Sequence, residues 1–329
     1  MGYSRVPPRL PTRFPTIHWL LAAGLALGVA ACAARQARHS HYWPAAGTGR
    51  ASLLPDVSGL AWLGGDRFLA VHDAKYPDEA GFPRVSLLDL PAGLDGLRWA
   101  PLAIEFPGEP ASDLESVARV SDASGHDLVL VAESTEEVAE APFARRIFLI
   151  EVSGVGAAVV DQAEWPVATR NVEGTAVAAV GGALLFLFAE RADGEPSSEI
   201  RWAELRLDPL RFGPFRSAGA FSTPGPTGPN ARPVAALEVD ARGVVYAASS
   251  EDPDDDGGPF RSAVYRIGRV VADGGGAVVL DPAPVQLAVL DGLKVESLAA
   301  RERGHGIVEL WVGVDDEYYG GTIRRLPER

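Results

Sequence analysis

The stretch "LKVESLAA" at residues 293–300 is one of five copies of a short strand pattern, which we call the openers. Val295 reads as a buried strand position, and the charged residues Lys294 and Glu296 lie on either side of it. The other four openers are "DVSGLAWL" (56–63), "DLESVARV" (113–120), "NVEGTAVA" (171–178) and "PVAALEVD" (233–240). They align on Ser58, Glu115, Glu173, Ala235 and Glu296, which are separated by 57, 58, 62 and 61 residues.

A period near 60 residues, with four short strands in each unit, is typical of a β-propeller. Each opener is followed by short apolar runs, such as "RFLAVHD" (67–73) and "RVSLLDL" (84–90). The fifth unit ends after its third strand, so we expect "GRASLLP" (49–55) to supply the missing strand and close the ring. The sequence therefore predicts an all-β fold, a single five-bladed propeller over residues 49–329. A pair of β-sandwiches with matching spacing is the alternative.

The N-terminus resembles a bacterial lipoprotein signal. Residues 1–18 carry three arginines and no acid, the apolar run 19–29 follows, and "VAAC" ends at Cys32, the only cysteine. We therefore expect a signal peptide over residues 1–31, a lipidated Cys32 and a linker over residues 32–48. Export and anchoring in the outer membrane follow from that resemblance. An ordinary secretory peptide with an incidental cysteine is the alternative.

The chain is acidic, with a net charge of −14 at pH 7. This charge argues against a nucleic-acid partner, because phosphate backbones are bound by clusters of Lys and Arg. We expect a monomer whose partners are the membrane, through Cys32, and a small-molecule ligand.

The openers also predict a metal site. The first strand of each propeller blade lies nearest the axis, and the residue after the aligned position is always small: Gly59, Ser116, Gly174, Ala236 and Ser297. Glu115, Glu173 and Glu296 would then meet on the axis, where each pair repels by roughly 3 kcal/mol at about 5 Å. Oxygen-only ligands favour Ca²⁺, with Ser58 as a fourth ligand. The alternative is that each glutamate accepts backbone N–H groups at a strand end.

The end of the axis at which these glutamates would meet, which we call the mouth, is expected to carry further charged groups. The ends of the second strands offer Asp73, Glu133 and Glu190 as candidate bases. Candidate ligand-binding residues are Asp56, Lys75, Asp113, Arg191, Lys294 and Asp315. A solvated, charged rim is the alternative. In "DPDDDG" (252–257), Asp252, Asp254 and Asp256 have the spacing of a calcium loop, so we also predict a second calcium ion there. An acidic loop that binds no metal is the alternative.

Two pairings carry a family resemblance: "DLESVARV" with "LVLVAES" (128–134), and "NVEGTAV" with "LLFLFAER" (184–191). They resemble the phytase-like, or esterase-like, propeller family. The five-unit ring is also similar to the calcium-activated nucleotidases (apyrases), in which Ser, Glu, Glu, Ser and Glu hold one axial Ca²⁺. This chain departs from that order at Ala235. The resemblance implies a calcium-dependent phosphoester or phosphoanhydride hydrolase. A non-catalytic envelope propeller with structural calcium, and a lactone or carboxyl-ester hydrolase, are the alternatives.

Overall fold

The computed structural model describes residues 54–73, 83–90, 97–120, 127–134, 145–154, 156–253, 257–272, 276–315 and 321–327. These residues form β-strands arranged in five sheets. The fold is a five-bladed β-propeller, as the sequence predicts. Leu53–Arg329 make up one compact unit. No helix in the described ranges is long and apolar enough to cross a membrane.

Each blade is an antiparallel sheet whose strands follow one another in chain order from the axis outwards. Blade 1 contains β1 (Gly59–Gly64), β2 (Arg67–Val71), β3 (Val85–Asp89) and β4 (Arg98–Pro101). Blade 2 contains β5 (Leu114–Val120), β6 (Asp127–Glu133), β7 (Arg146–Ser153) and β8 (Gly156–Glu164). Blade 3 contains β9 (Val172–Val180), β10 (Ala183–Glu190), β11 (Ser197–Leu207), β12 (Leu210–Phe212) and β13 (Arg216–Ser222).

Blade 4 contains β14 (Ala231–Val239), β15 (Val244–Glu251), β16 (Arg261–Val271) and β17 (Ala277–Asp291). Blade 5 contains β18 (Val295–Arg303), β19 (Ile307–Asp315) and β20 (Gly321–Arg325). Blade 3 departs from the predicted four strands, because its outer edge is divided between β12 and β13, which both pair with β11.

The ring is closed by contacts between inner strands. Strand β1 contacts β5, and the contacts continue through β9, β14 and β18, which returns to β1. Five buried apolar clusters lie between neighbouring blades. The cluster between blades 5 and 1 joins Phe68 to Trp311, whose ring centroids are 5.5 Å apart. Burial of apolar side chains between the sheets therefore holds the blades together.

The N-terminal segment reaches the outer strand of blade 5. The amide of Gly321 donates a hydrogen bond of 2.9 Å to the carbonyl oxygen of Leu54. A Cβ atom at Gly321 would lie 2.0 Å from the carbonyl oxygen of Pro55, so this contact requires glycine. The last residues of the stretch 49–55 thus lie where the closing strand is expected, and residues 49–53 lie outside the described part.

The three aligned glutamates are the extra residues of β-bulges. Leu114 pairs with Glu133 and Ser116 with Ala132, which leaves Glu115 without an opposite residue. The same two-against-one pattern occurs at Glu173 and at Glu296. A bulge re-aims the side chain that it carries and is common near functional sites. Simple alternation therefore does not apply across these positions.

The residues that follow the aligned positions must be small, as expected. A Cβ atom at Gly59 would lie 3.1 Å from the backbone carbon of Ser116 in the next blade. One at Gly174 would lie 2.8 Å from Cγ of Leu237 and 3.1 Å from its backbone nitrogen. Close approach of neighbouring inner strands explains the small residues of the openers.

Candidate functional site at the mouth of the axis

Glu115, Glu173 and Glu296 are all buried at the same end of the inner strands. Burial raises the pKa of Glu296, and the positive charge of Lys294 opposes that rise. The negative charges of Glu173 and Glu115 raise this pKa further. The three glutamates thus act on one another electrostatically, and the group requires a proton or cations to offset the repulsion.

Basic side chains supply positive charge in one half of the mouth, which we call the paired half. Nη1 of Arg191 lies 3.1 Å from Oε1 of Glu173. Oε1 of Glu296 lies 3.1 Å from Nη1 of Arg232 and 3.2 Å from Nζ of Lys294. Glu173 and Glu296, which were predicted to bind an axial Ca²⁺, therefore form ion pairs with basic side chains of the protein. Calcium binding itself stays a prediction, and these two side chains are not its best ligands here.

The ion pairs of this half form one connected network. Its members are Glu173, Arg191, Asp193, Arg232, Asp252, Glu296, Lys294 and Asp315. Five carboxylates against three cations give a formal charge of −2 when all are ionised. Nζ of Lys294 lies 2.8 Å from Oδ2 of Asp315, so the two residues predicted to bind a ligand bind each other.

Burial lowers the pKa of the Arg191 guanidinium, and the charges of Glu173, Asp193 and Glu115 raise it by more, so its pKa lies above the ordinary value. Burial and the positive charge of Arg191 lower the pKa of Arg232. The negative charge of Glu296 raises it, and the net result is a pKa above the ordinary value. Both arginines are therefore cations at every pH at which the protein is folded.

The other half of the mouth is acidic. Asp73, Asp113 and Glu115 each place one carboxylate oxygen so that the three lie within 4.8 Å of one another. Asp113 and Glu115 are buried and Asp73 is half-buried. We call these three residues the acidic cluster. Three carboxylates this close repel one another, and a nearby positive charge or a bound proton reduces that repulsion.

Blade 1 fixes the backbone beside the acidic cluster. Burial lowers the pKa of His72 to about 4, so the ring is neutral at pH 7. Its Nδ1 lies 2.6 Å from the carbonyl oxygen of Asp56, and its Nε2 lies 2.9 Å from Oγ of Ser86. Because a carbonyl only accepts, Nδ1 carries the proton and Nε2 accepts from the serine. His72 therefore holds the backbone of Asp56 beside the residue that precedes Asp73. Since both ring nitrogens are engaged within the protein, His72 does not donate a proton to a ligand.

Another opener residue, Ser58, lies near the cluster. The backbone amide of Ser58 donates to Val71 at 3.2 Å, which places Ser58 between the ends of β2 and β5. Within the described residues, the buried Oγ of Ser58 has no hydrogen-bond partner. Asp113 has φ of 54° and Asn171 has φ of 46°, the left-handed region that few non-glycine residues adopt. Such strain is concentrated at functional sites.

Glu133 is held in a buried ion pair, which favours a structural role over the predicted catalytic one. Both of its carboxylate oxygens accept hydrogen bonds from the Arg146 side chain, at 2.6 and 3.0 Å. The backbone amides of Ser112 and Arg146 donate to it as well. The other donors of Arg146 bind the carbonyl oxygens of Pro107, Glu109 and Pro110. This buried group therefore fastens the chain before β5 to blade 2.

The remaining predicted site residues fall elsewhere. Glu190 is half-buried and accepts a hydrogen bond of 3.0 Å from the backbone amide of Arg170. Oδ2 of Asp252 binds Arg232 at 2.9 Å and Lys294 at 3.2 Å, and a calcium ion in the 252–257 loop stays a prediction. The predictions for Cys32, Lys75, Asp254 and Asp256 lie outside the described residues.

Sequence reasoning missed Arg232 and Asp193. Arg232 lies 8% exposed in the start of β14, three residues before Ala235, the aligned position that lacks a carboxylate. A basic residue next to the one deviating opener was the available signal. Asp193 binds both Arg191 and Arg232, and nothing in its sequence surroundings indicates that contact.

No family model and no curated relative matches the chain. Its fold is similar to a GH32 beta-fructofuranosidase of Bombyx mori, with 13% identity and a TM-score of 0.48, over 82% of this chain and 59% of that one. An exo-1,5-alpha-L-arabinanase from a bovine ruminal metagenomic library gives 12% identity and a TM-score of 0.48, over 84% and 94%. A GH43 endo-arabinanase of Bacillus licheniformis gives 12% and 0.45, over 88% and 98%. These similarities concern the fold alone.

The predicted phosphoester or phosphoanhydride hydrolysis is wrong. Arg191 and Lys294, which were expected to offset charge on a phosphoryl group, are held by carboxylates of the protein.

Proposed function

We propose that this propeller binds a divalent cation at the acidic cluster and uses that ion to hold a small, oxygen-rich ligand at the mouth of its axis. The observation that carries the proposal is the placement of one oxygen each from Asp73, Asp113 and Glu115 within 4.8 Å of one another. A bound cation would offset the mutual repulsion of these three carboxylates.

The donor set favours Ca²⁺. All three candidate ligands offer oxygen, which hard cations prefer, and Ca²⁺ takes six to eight oxygens at about 2.3–2.6 Å. Three carboxylates supply at most six oxygens, and fewer when any of them binds through a single oxygen. The Oγ of Ser58, which has no hydrogen-bond partner among the described residues, is a further oxygen near the cluster. Positions that remain open are available to hydroxyl or carboxyl oxygens of a ligand.

The second candidate is glycoside hydrolysis without a metal. It is favoured by the same short separation, because repulsion between close carboxylates favours protonation of one of them, and the group then provides an acid and a base. The beta-fructofuranosidase and the arabinanases similar in fold have that kind of activity by their descriptions. The two candidates differ in what occupies the acidic cluster, a cation or a proton.

Calorimetric titration of the full chain with CaCl₂ tests the first candidate. We expect one ion per chain, and a loss of at least tenfold in affinity in Asp113→Asn and in Glu115→Gln. Glu199→Gln is the matched control, because it removes a carboxylate that pairs with Arg201 on an outer strand of blade 3. Its affinity should equal that of the wild type.

The outcomes separate the candidates. Absence of calcium binding by the folded wild type, or equal binding by all variants, refutes the cation site. Hydrolysis of arabinan, sucrose or fructan in the presence of chelator, lost in Asp113→Asn, supports the second candidate in its place. Its pH–rate profile should then show one acidic and one basic limb.

A further inference from the structure

We propose that Arg191 and Arg232 form a binding site for a carboxylate-bearing small molecule, and that Asp193 occupies this site as an internal, displaceable counter-ion. This site uses side chains other than those of the acidic cluster, so it stands independently of the proposed cation. It is the outermost part of the paired half.

The exposed fractions of the side chains separate an inner from an outer layer. Arg191 and Arg232 are 13% and 9% exposed, whereas the carboxylate that joins them, Asp193, is 44% exposed. Oδ2 of Asp193 lies 2.8 Å from Nε of Arg191, and Oδ1 lies 3.2 Å from Nε of Arg232. One carboxylate thus spans two guanidinium groups from the solvent side, with one oxygen for each.

Buried carboxylates hold the two arginines in place from the inside. Nη1 of Arg191 is 3.1 Å from Glu173, and Nη1 of Arg232 is 3.1 Å from Glu296. These donors are therefore engaged by buried carboxylates, and Asp193 binds the Nε of each arginine. Guanidinium groups that are fixed in advance lose little side-chain entropy when they bind a carboxylate.

The loop that carries Asp193 is held in an uncommon backbone conformation. Ala192 and Gly194, on either side, have φ of 54° and 71°. The amide of Gly194 donates 2.8 Å to the carbonyl oxygen of Ala231, next to Arg232. A left-handed alanine is strained and persists where the surroundings enforce it. This geometry presents a carboxylate to the arginine pair in the position that a ligand carboxylate would take.

An incoming carboxylate takes over the two ion pairs of Asp193, and because the displaced Asp193 keeps its charge on the same chain, the mouth gains one negative charge. The number of ion pairs made by the two arginines stays the same in this exchange. Asp193 nevertheless competes with the ligand, because it belongs to the same chain and has an effective concentration of at least about 1 mM. The wild type should therefore bind free carboxylates weakly. Removal of the internal competitor should strengthen binding.

Titration of galacturonate into the full-length wild type and into Asp193→Ala tests the proposal. We expect the variant to bind galacturonate at least tenfold more tightly, and to bind its uncharged counterpart galactose no better than the wild type does. Added NaCl should weaken the binding, since exposed charge pairs are screened. Acetate should bind as tightly as galacturonate when the site recognises only the carboxylate. Weaker binding of acetate would show that the sugar ring makes further contacts.

Two further variants make the result decisive. Glu199→Ala removes a carboxylate that is also 44% exposed and pairs with Arg201 at 2.6 Å, and it should bind galacturonate as the wild type does. Asp193→Ser is measured beside the alanine variant, with a melting curve for each, so that one folded variant remains. The proposal is overturned when every folded Asp193 variant binds galacturonate no more tightly than the wild type, or binds galactose equally well.

Discussion

Replacement of Glu133 by glutamine should destabilise the propeller strongly and leave ligand binding at the mouth intact. The side-chain carboxylate of Glu133 accepts four hydrogen bonds, from Nε, Nη2 and the backbone amide of Arg146 and from the amide of Ser112. Glutamine keeps one acceptor oxygen and turns an amide group towards donors that it cannot satisfy. The guanidinium of Arg146 then remains buried without its counter-charge.

The expected cost follows from that arrangement. Removal of one partner from a buried ion pair costs about 3–5 kcal/mol, because the remaining charge is left without compensation. We expect the free energy of unfolding, measured by urea titration with tryptophan fluorescence, to fall by that amount. Asp89→Asn, which breaks the exposed pair with Arg98, is the control and should cost about 0.5 kcal/mol or less.

The reasoning is refuted when Glu133→Gln unfolds at the same urea concentration as the wild type. A variant of unchanged stability that lost ligand binding or turnover would assign Glu133 to the site, as the sequence predicts, and would overturn its structural role.

Two other changes test the ring closure and the half-buried acid Glu238 of blade 4. Gly321→Ala should lower the free energy of unfolding by about 2 kcal/mol, because its Cβ would lie 2.0 Å from the carbonyl oxygen of Pro55; Gly304→Ala, with open space around it, should change little. Burial raises the pKa of Glu238 to about 8 from 4.5. The folded state therefore holds that proton more tightly, and stability falls as pH rises from about 4.5 to about 8. Chemical unfolding at several pH values should show this decline to be smaller in Glu238→Gln by up to about 5 kcal/mol, at about 1.4 kcal/mol for each pKa unit, and an unchanged decline would contradict the shift.

The blades were predictable because each one repeats the same requirement. A residue beside the axis has to be small, since a Cβ at Gly59 or Gly174 would overlap the neighbouring inner strand. That steric condition recurs once in each unit and leaves a period in the sequence. The convergence of the glutamates follows from the same period.

The partners of those glutamates were not predictable. Arg232 pairs with Glu296 across 64 residues, and Asp193 joins two arginines of different blades. Such pairs depend on loop paths and bulges, which strand alternation does not encode. For the same reason, the sequence offered Glu133 as a free acid, although the neighbouring strand supplies Arg146 to neutralise it.

The division of the mouth is tested most directly by locating a bound cation. Crystals grown with Ca²⁺ or soaked in Tb³⁺ should give one anomalous peak within about 2.3–2.6 Å of oxygens from Asp73, Asp113 and Glu115. A peak between Glu173 and Glu296, with Arg191 and Arg232 displaced, would contradict the account. So would well-ordered density at the three carboxylates with no ion at saturating metal.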